Sequence, residues 1–313
     1  MAERPFLFEI YRLNIVDNDV LSFEFMGKNI RSDEQIMSVL ETVTGQNYSV
    51  TNQAGRSRFE WQVREFISNN DPQASLCAVT LGRSIIEQIG QTATPAGFAD
   101  ATSTFLPPPA ETMRLIFYLQ RHLVAVEYRS DLMHTQLWRT SFQQMLDDAA
   151  IERGFTSRLR LEPVPQERTI LRAFRSFDRL TRLRVKLRIP NPELDRRTER
   201  LRQEMVEDGI REYTQDMQNP AGLSKSEEGR PFATAAMAQA GYKDGDVTMV
   251  GIKEGKRSVV RIGHRAARAR IDGLSAFVRG LSANLRTEEG IRVVGLISDE
   301  IDRLVEIPTP PQE

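Results

Sequence analysis

The stretch "RLTRLRVKLRIP", residues 179–190, constrains this chain more than any other. From Thr181 to Ile189 polar and apolar residues alternate without a miss. Arg182, Arg184, Lys186 and Arg188 take one side; Leu183, Val185, Leu187 and Ile189 take the other. Strand side chains alternate between two faces, so this period predicts a β-strand with one apolar and one cationic face. Same-face neighbours stand about 7 Å apart, where like charges repel. An anionic partner lying across them would offset that repulsion.

The preceding segment repeats the theme in helical period. "QERTILRAFRSFDRL" predicts a helix with Ile170, Phe174, Phe177 and Leu180 on one side. Arg168, Arg172, Arg175 and Arg179 lie on the other, within an arc of roughly 60° at about 100° per residue. Laid on Leu183, Val185 and Leu187, this helix would turn its arginines to solvent. The two cationic surfaces would then stand on opposite sides of one layer. A third group, Lys253, Lys256, Arg257, Arg261, Arg265, Arg268 and Arg270, covers a predicted C-terminal hairpin and the start of a predicted long helix.

Net charge is −1, but its distribution is uneven. Residues 1–150 hold 12 Lys and Arg against 18 Asp and Glu, whereas residues 153–188 hold 11 against 3. Only 6 of the 42 cations are lysines. A GC-rich genome would account for that bias, and so would arginine's two-point fit to phosphate or carboxylate; a bacterial protein is expected.

Around this basic block the pattern predicts an α+β or mixed α/β protein, with helices packed on a mixed, partly parallel sheet. A C-terminal hairpin and long helix complete it. "FLFEIYRLNIV" and "VLSFEF" read as strands about "DND". "SDEQIMSVLETVTG" reads as a helix with a Ser32–Gln35 capping box and an Ile36, Val39, Leu40, Val43 stripe. "RFEWQVREFI", "SLCAVTLGR", "RLIFYLQRHLVAVEYR" and "SRLRLEP" read as further strands. "TQLWRTSFQQMLDDAA" is a helix with Leu137, Trp138, Phe142, Met145 and Ala149 at helical spacing. Asn191 and Pro192 open another, expected to run to about Met217 with Glu193–Arg197 and Glu207–Arg211 pairs.

A short helix "FATAAMAQAG" and a hairpin "VTMVGIKEGKRSVVRI" precede the long helix, whose stripe is Ala267, Ile271, Leu274, Val278, Leu281 and Leu285. The expected divisions are an acidic α/β segment (1–90), a Pro/Ala/Thr-rich loop (91–112) and a central α/β segment (113–217). A loop (218–232), a hairpin-and-helix segment (233–306) and a tail (307–313) follow.

Few residues suggest chemistry. The single cysteine, Cys77, excludes an internal disulfide and a multi-cysteine metal site, and no cofactor is expected. "GIKEGKRS" is one residue short of a phosphate-binding loop, and "GRSII" lacks the second glycine of a nucleophile elbow. No run of 18 apolar residues and no signal-peptide order occur, so a cytoplasmic protein outside the membrane is expected.

In "EYRSDLMH", Arg129 and His134 are separated by four residues, beside Glu127 and Asp131. The spacing resembles the R-x4–6-H signature of the HEPN family of metal-independent ribonucleases. The resemblance implies that Arg129 steadies transition-state charge and His134 acts as acid or base. HEPN domains are helical bundles, whereas this motif follows a predicted strand. Glu127, Asp131 and His134 form an alternative metal set.

The leading expectation is binding of DNA or RNA through the phosphate backbone with little base reading, without catalysis. The cationic strand face carries no aromatics, which disfavours an RNA-recognition-type stacking sheet. The alternatives are a nucleic-acid-cleaving enzyme of a defence or toxin system, and an interaction subunit whose basic strand faces an acidic partner or the chain's own acidic segment. Self-association is a further possibility.

Overall fold

In a computed structural model of the 313-residue chain, the structure describes residues 5–17, 29–45, 48–69, 75–166, 169–188, 208, 210, 212–263, 265–272, 274 and 287–305. Two antiparallel sheets build it. The larger has strand order β13-β1-β7-β6-β4-β3-β2, with β5 added to β4 and β8 added to β1. Its members are β1 (Phe6–Asp17), β2 (Ser49–Ala54), β3 (Ser57–Ser68), β4 (Leu76–Thr94), β5 (Gly97–Thr104), β6 (Ala110–Tyr118), β7 (Leu123–Glu127), β8 (Ser157–Pro163) and β13 (Ala267–Ile271).

The alternation along β1 explains why helices cover both faces. Phe6, Phe8 and Ile10 join one core; Tyr11 and Leu13 join the other. The first core also holds Val293, Ile297 and Ile301 of a C-terminal helix, Glu288–Val305. The second holds Ile36, Val39, Leu40 and Val43 of helix α1 (Asp33–Val43), together with Trp138, Phe142 and Met145 of the helix Leu137–Glu152. Burial on both faces is why β6 and β7 read as nearly unbroken apolar runs. Ser32 and Gln35 form the expected capping box at the start of α1.

In chain order the remaining helices are α2 (Ser130–Met133), α3 (Leu137–Glu152), α4 (Thr169–Ser176), α5 (Arg230–Gln239) and α6 (Glu288–Val305). The smaller sheet has order β10-β9-β11-β12: β9 (Arg179–Arg188), β10 (Glu212–Gln218), β11 (Lys243–Lys253) and β12 (Lys256–Ile262). Leu180, Leu183, Val185 and Leu187 of β9 share one core with Ile170 and Phe174 of α4 and Phe232, Ala235 and Met237 of α5. Both helices thus pack on the apolar side of this sheet.

Several expectations are corrected. The α+β content is as read, but every strand pairing among the described residues is antiparallel. Residues 91–112 hold paired strands: β4 runs to Thr94, turns at Pro95–Ala96 and returns as β5. This ribbon buries almost no side chains, so hydrophobic period carried no trace of it. Of the helix expected to reach Met217, residues Glu212–Met217 belong instead to β10, whose Tyr213, Gln215 and Met217 alternate inward.

Ala267 and Ile271, read as the start of a long helix, belong to β13, where Ala267 and Ala269 are buried between exposed Arg268 and Arg270. A spacing of four fits both periods there, and pairing with Phe6–Ile10 decides for strand. "VLSFEF", Asn191, Pro192, Val278, Leu281, Leu285, the two expected i,i+4 pairs and the tail 307–313 lie outside the described residues. Among the described residues no helix is long and apolar enough to cross a membrane.

Candidate nucleic-acid interface

The side of the smaller sheet away from α4 and α5 carries the predicted cations. On β11, Thr248 pairs with Arg184 on one side and Arg261 on the other; Val250 stands between Arg182 and Val259. Ile252 stands between Arg179 and Arg257. At about 4.8 Å per strand, the two cationic columns run roughly 10 Å apart with the uncharged Thr248, Val250 and Ile252 between them. Their registry across β11 was not legible in sequence, because only the pairing of β9 with β11 sets it.

The charges are partly matched. Arg182 makes a two-point contact with Asp216 of β10, at 2.8 and 2.5 Å. Hydrogen bonding to Asp216 holds Arg182 above the usual arginine range, and the same bond holds Asp216 below the usual carboxylate range. Lys186 and Arg188 both reach Asp244 of β11, at 2.9 and 3.0 Å. Burial pushes the Asp244 carboxyl up, but the Lys186 hydrogen bond and the Arg188 charge outweigh it and leave it depressed.

Arg188 is only 8% exposed, so the expected face of four free cations is reduced. The covering carboxylates come from neighbouring strands, not from the acidic N-terminal segment. Both were missed by sequence reasoning, although the alternation in "EYTQDMQ" is a period-two signal for β10. Arg184, Arg257 and Arg261 are exposed and carry no ion pair among the described residues. Lys256, at the hairpin turn, is exposed as well.

On the opposite side Arg172 is exposed, and Arg175 pairs with Glu227 at 2.6 Å while lying 5.5 Å from the Phe232 ring centroid. Arg168 lies outside the described residues, and Arg179 is on β9 rather than on the helix, which ends at Ser176. The third group divides. Arg265, Arg268 and Arg270 sit on or beside β13 in the larger sheet, away from Arg257 and Arg261. Arg268 pairs with Glu9 at 2.7 Å and stacks on Tyr128, 3.4 Å from the ring centroid. Arg270 pairs with Asp272 at 2.9 Å.

The "EYRSDLMH" residues are neighbours but are engaged in local structure. Arg129 precedes α2 in an extended conformation and makes a two-point contact with Asp131 at 3.1 and 2.7 Å, with a third bond to the Thr112 carbonyl. The Asp131 hydrogen bond holds Arg129 above its ordinary range. Glu127 is buried and accepts from the Arg114 amide. His134 is exposed, with Nδ1 3.0 Å from the Asp131 carbonyl oxygen. No group of three or more His, Cys, Asp or Glu among the described residues is placed to hold a metal ion, the Glu127, Asp131 and His134 set included.

No curated protein matches the chain. A family model described as "Domain of unknown function (DUF4747)" matches residues 95–263. That span runs from the turn before β5 to the residue after β12 and contains the whole cationic sheet. It covers more than half of the 313 residues, and the chain belongs to this family.

Proposed function

We propose that the outer face of the β10-β9-β11-β12 sheet binds the phosphate backbone of a nucleic acid with little sequence preference. The observation that carries this reading is the placement of exposed Arg184, Arg257 and Arg261, without ion pairs among the described residues, on one face of one sheet. A polyanion needs such an array rather than a pocket. Arginine presents paired donors to each phosphate. The uncharged column between offers a seat for sugars. No aromatic side chain stands on Thr248, Val250, Ile252 or their row neighbours, so base stacking contributes little.

The test is fluorescence anisotropy with labelled duplex DNA, single-stranded DNA and RNA across a salt series, beside Arg184→Glu/Arg257→Glu/Arg261→Glu. Three neutralised phosphates give a log–log salt slope of about −3 on duplex and about −2 on single strands. The expected result is binding with a slope of that size, lost in the triple variant. Absence of binding to all three polymers, or equal binding by the variant, would overturn the proposal.

A further inference from the structure

The β4–β5 ribbon stands out from the larger sheet. Pairing of β3 with β4 stops at Gln88, and pairing of β6 with β4 stops at Ser84. Beyond them the Ile89 amide still donates to the Arg56 carbonyl at 2.7 Å, and Gly90–Thr94 pair only with Gly97–Ala101 among the described residues. The free part spans about 16 Å at 3.3 Å per residue. One face carries Ile89, Gln91, Ala93, Phe98, Asp100 and Thr102; the other carries only glycine, alanine and threonine. Phe98 is 79% exposed and Ile89 41%. A two-stranded ribbon with so little cover is marginal in water by itself.

Its outer edge is equally unguarded. Phe105 donates its amide to Ile86 of β4, so alternation turns the amides of Phe98, Asp100, Thr102 and Thr104 outward. Exposed edges are commonly blunted by lysine or proline. From Gly97 to Thr104 this edge has neither, and its one charge is Asp100. Nucleic acid would meet a carboxylate and no cation there. A charged protein partner would find the single carboxylate of Asp100 to pair with.

An edge that is neutral apart from Asp100, carries small side chains apart from Phe98 and is free of proline fits another edge of the same kind. We propose that β5 pairs antiparallel with β5 of a second copy of this chain about a two-fold axis, giving a four-stranded ribbon β4-β5-β5-β4 across the dimer. Such a two-fold contact is self-complementary and closed, so it ends at two copies. The ribbon buries well under the roughly 800 Å² per partner of a stable interface, so dimer formation depends on concentration.

The test is sedimentation velocity of the full chain over a hundredfold concentration range, at low and high salt. Thr102→Pro removes one outward amide, and Asp100→Lys places a lysine on the edge. The dimer fraction of the wild type should rise with concentration and persist in high salt, because no ion pair holds it. Both variants should remain monomeric and keep the wild-type circular dichroism and melting temperature, since the affected side chains are exposed. A wild type that is monomeric throughout, or variants that dimerise as it does, would overturn the inference. A dimer that dissolves in salt would also overturn it.

Discussion

The guanidinium of Arg12 lies over the ring of Tyr242, 4.7 Å from its centroid, and both residues are buried. Arg12 belongs to β1 of the larger sheet; Tyr242 closes the turn between α5 and β11 beneath the smaller one. From this position Arg12 donates to the carbonyls of Ala240 at 3.0 Å and Arg121 at 2.6 Å. One side chain thus ties the two layers and satisfies backbone acceptors in each. Arg12→Leu removes the guanidinium and its donors, leaving buried carbonyls unmatched. A loss of about 2–4 kcal/mol is expected from that mismatch. Urea unfolding would read it as a lower midpoint.

A second prediction concerns the seam between β9 and β11. A Cβ built on Gly251 would stand 2.2 Å from the Arg179 carbonyl oxygen and 2.9 Å from the Phe177 ring. Backbone cannot yield as a flexible side chain can. Gly251→Ala should therefore cost about 3 kcal/mol or more by overpacking. Gly255→Ala on the same hairpin meets no atom within 4 Å and serves as the comparison for a glycine at positive φ. A melting temperature for Gly251→Ala as high as that of the comparison would contradict the prediction.

Asp216 offers a separate handle on the cationic face. It occupies Arg182 and lies directly across from Arg184 in the β9–β10 register. If phosphates bind this face, Asp216→Asn frees a guanidinium and removes a repelling charge. Affinity for duplex DNA should then increase, and the log–log salt slope should steepen by about 0.9. A protein whose face is merely structural would lose stability in this variant and gain no affinity.

Acid stability should depend on His122. Burial, and then the nearby Arg12 charge, push its imidazole down to about 4. An unfolded histidine titrates near 6.5, so between about pH 6.5 and 4 the unfolded chain binds a proton that the folded chain refuses. Stability falls as pH drops through this window, by about 3 kcal/mol in total, and levels off below it. His122 also has φ of 46°, a conformation that asparagine tolerates. In His122→Asn the slope across that window should flatten, as thermal melts at stepped pH would show.

The Arg129 and His134 pair makes a prediction by its own geometry. With Arg129 bound to Asp131 on two donors and to Thr112 on a third, a phosphate must break existing bonds to reach it. Incubation with labelled RNA in chelator should leave the RNA intact. Cleavage abolished by His134→Ala would instead favour the enzymatic alternative.

What the sequence disclosed, and what it concealed, follows from burial. Strands and helices that bury a face left a period: α1 with its capping box, β3 with Trp61 and Val63, α3 with Trp138 and Phe142, β9 with its leucines. The β4–β5 ribbon buries almost nothing, so its small polar residues read as loop. β10 and β13 are short strands whose identity is decided by pairing with β9 and β1. The charges themselves were visible in order along the chain. Their matching by Asp216 and Asp244 required knowing which strands lie side by side.

The meeting of β1 with β13 has a kinetic consequence. Phe6 pairs with Ile271, yet all of the smaller sheet is synthesised between them. The chain leaves the larger sheet at Pro165 and rejoins it at Ala266, and these two residues are themselves bridged. Closing so long a loop from an open chain is slow, because entropy must be given up before the distant contact forms. A smaller sheet that condenses first draws its own ends together and shortens the search. The amides of β11 should then gain protection from pulsed hydrogen exchange before those of β13, and β13 becomes the last stitch, arriving only once the inserted layer has closed behind it.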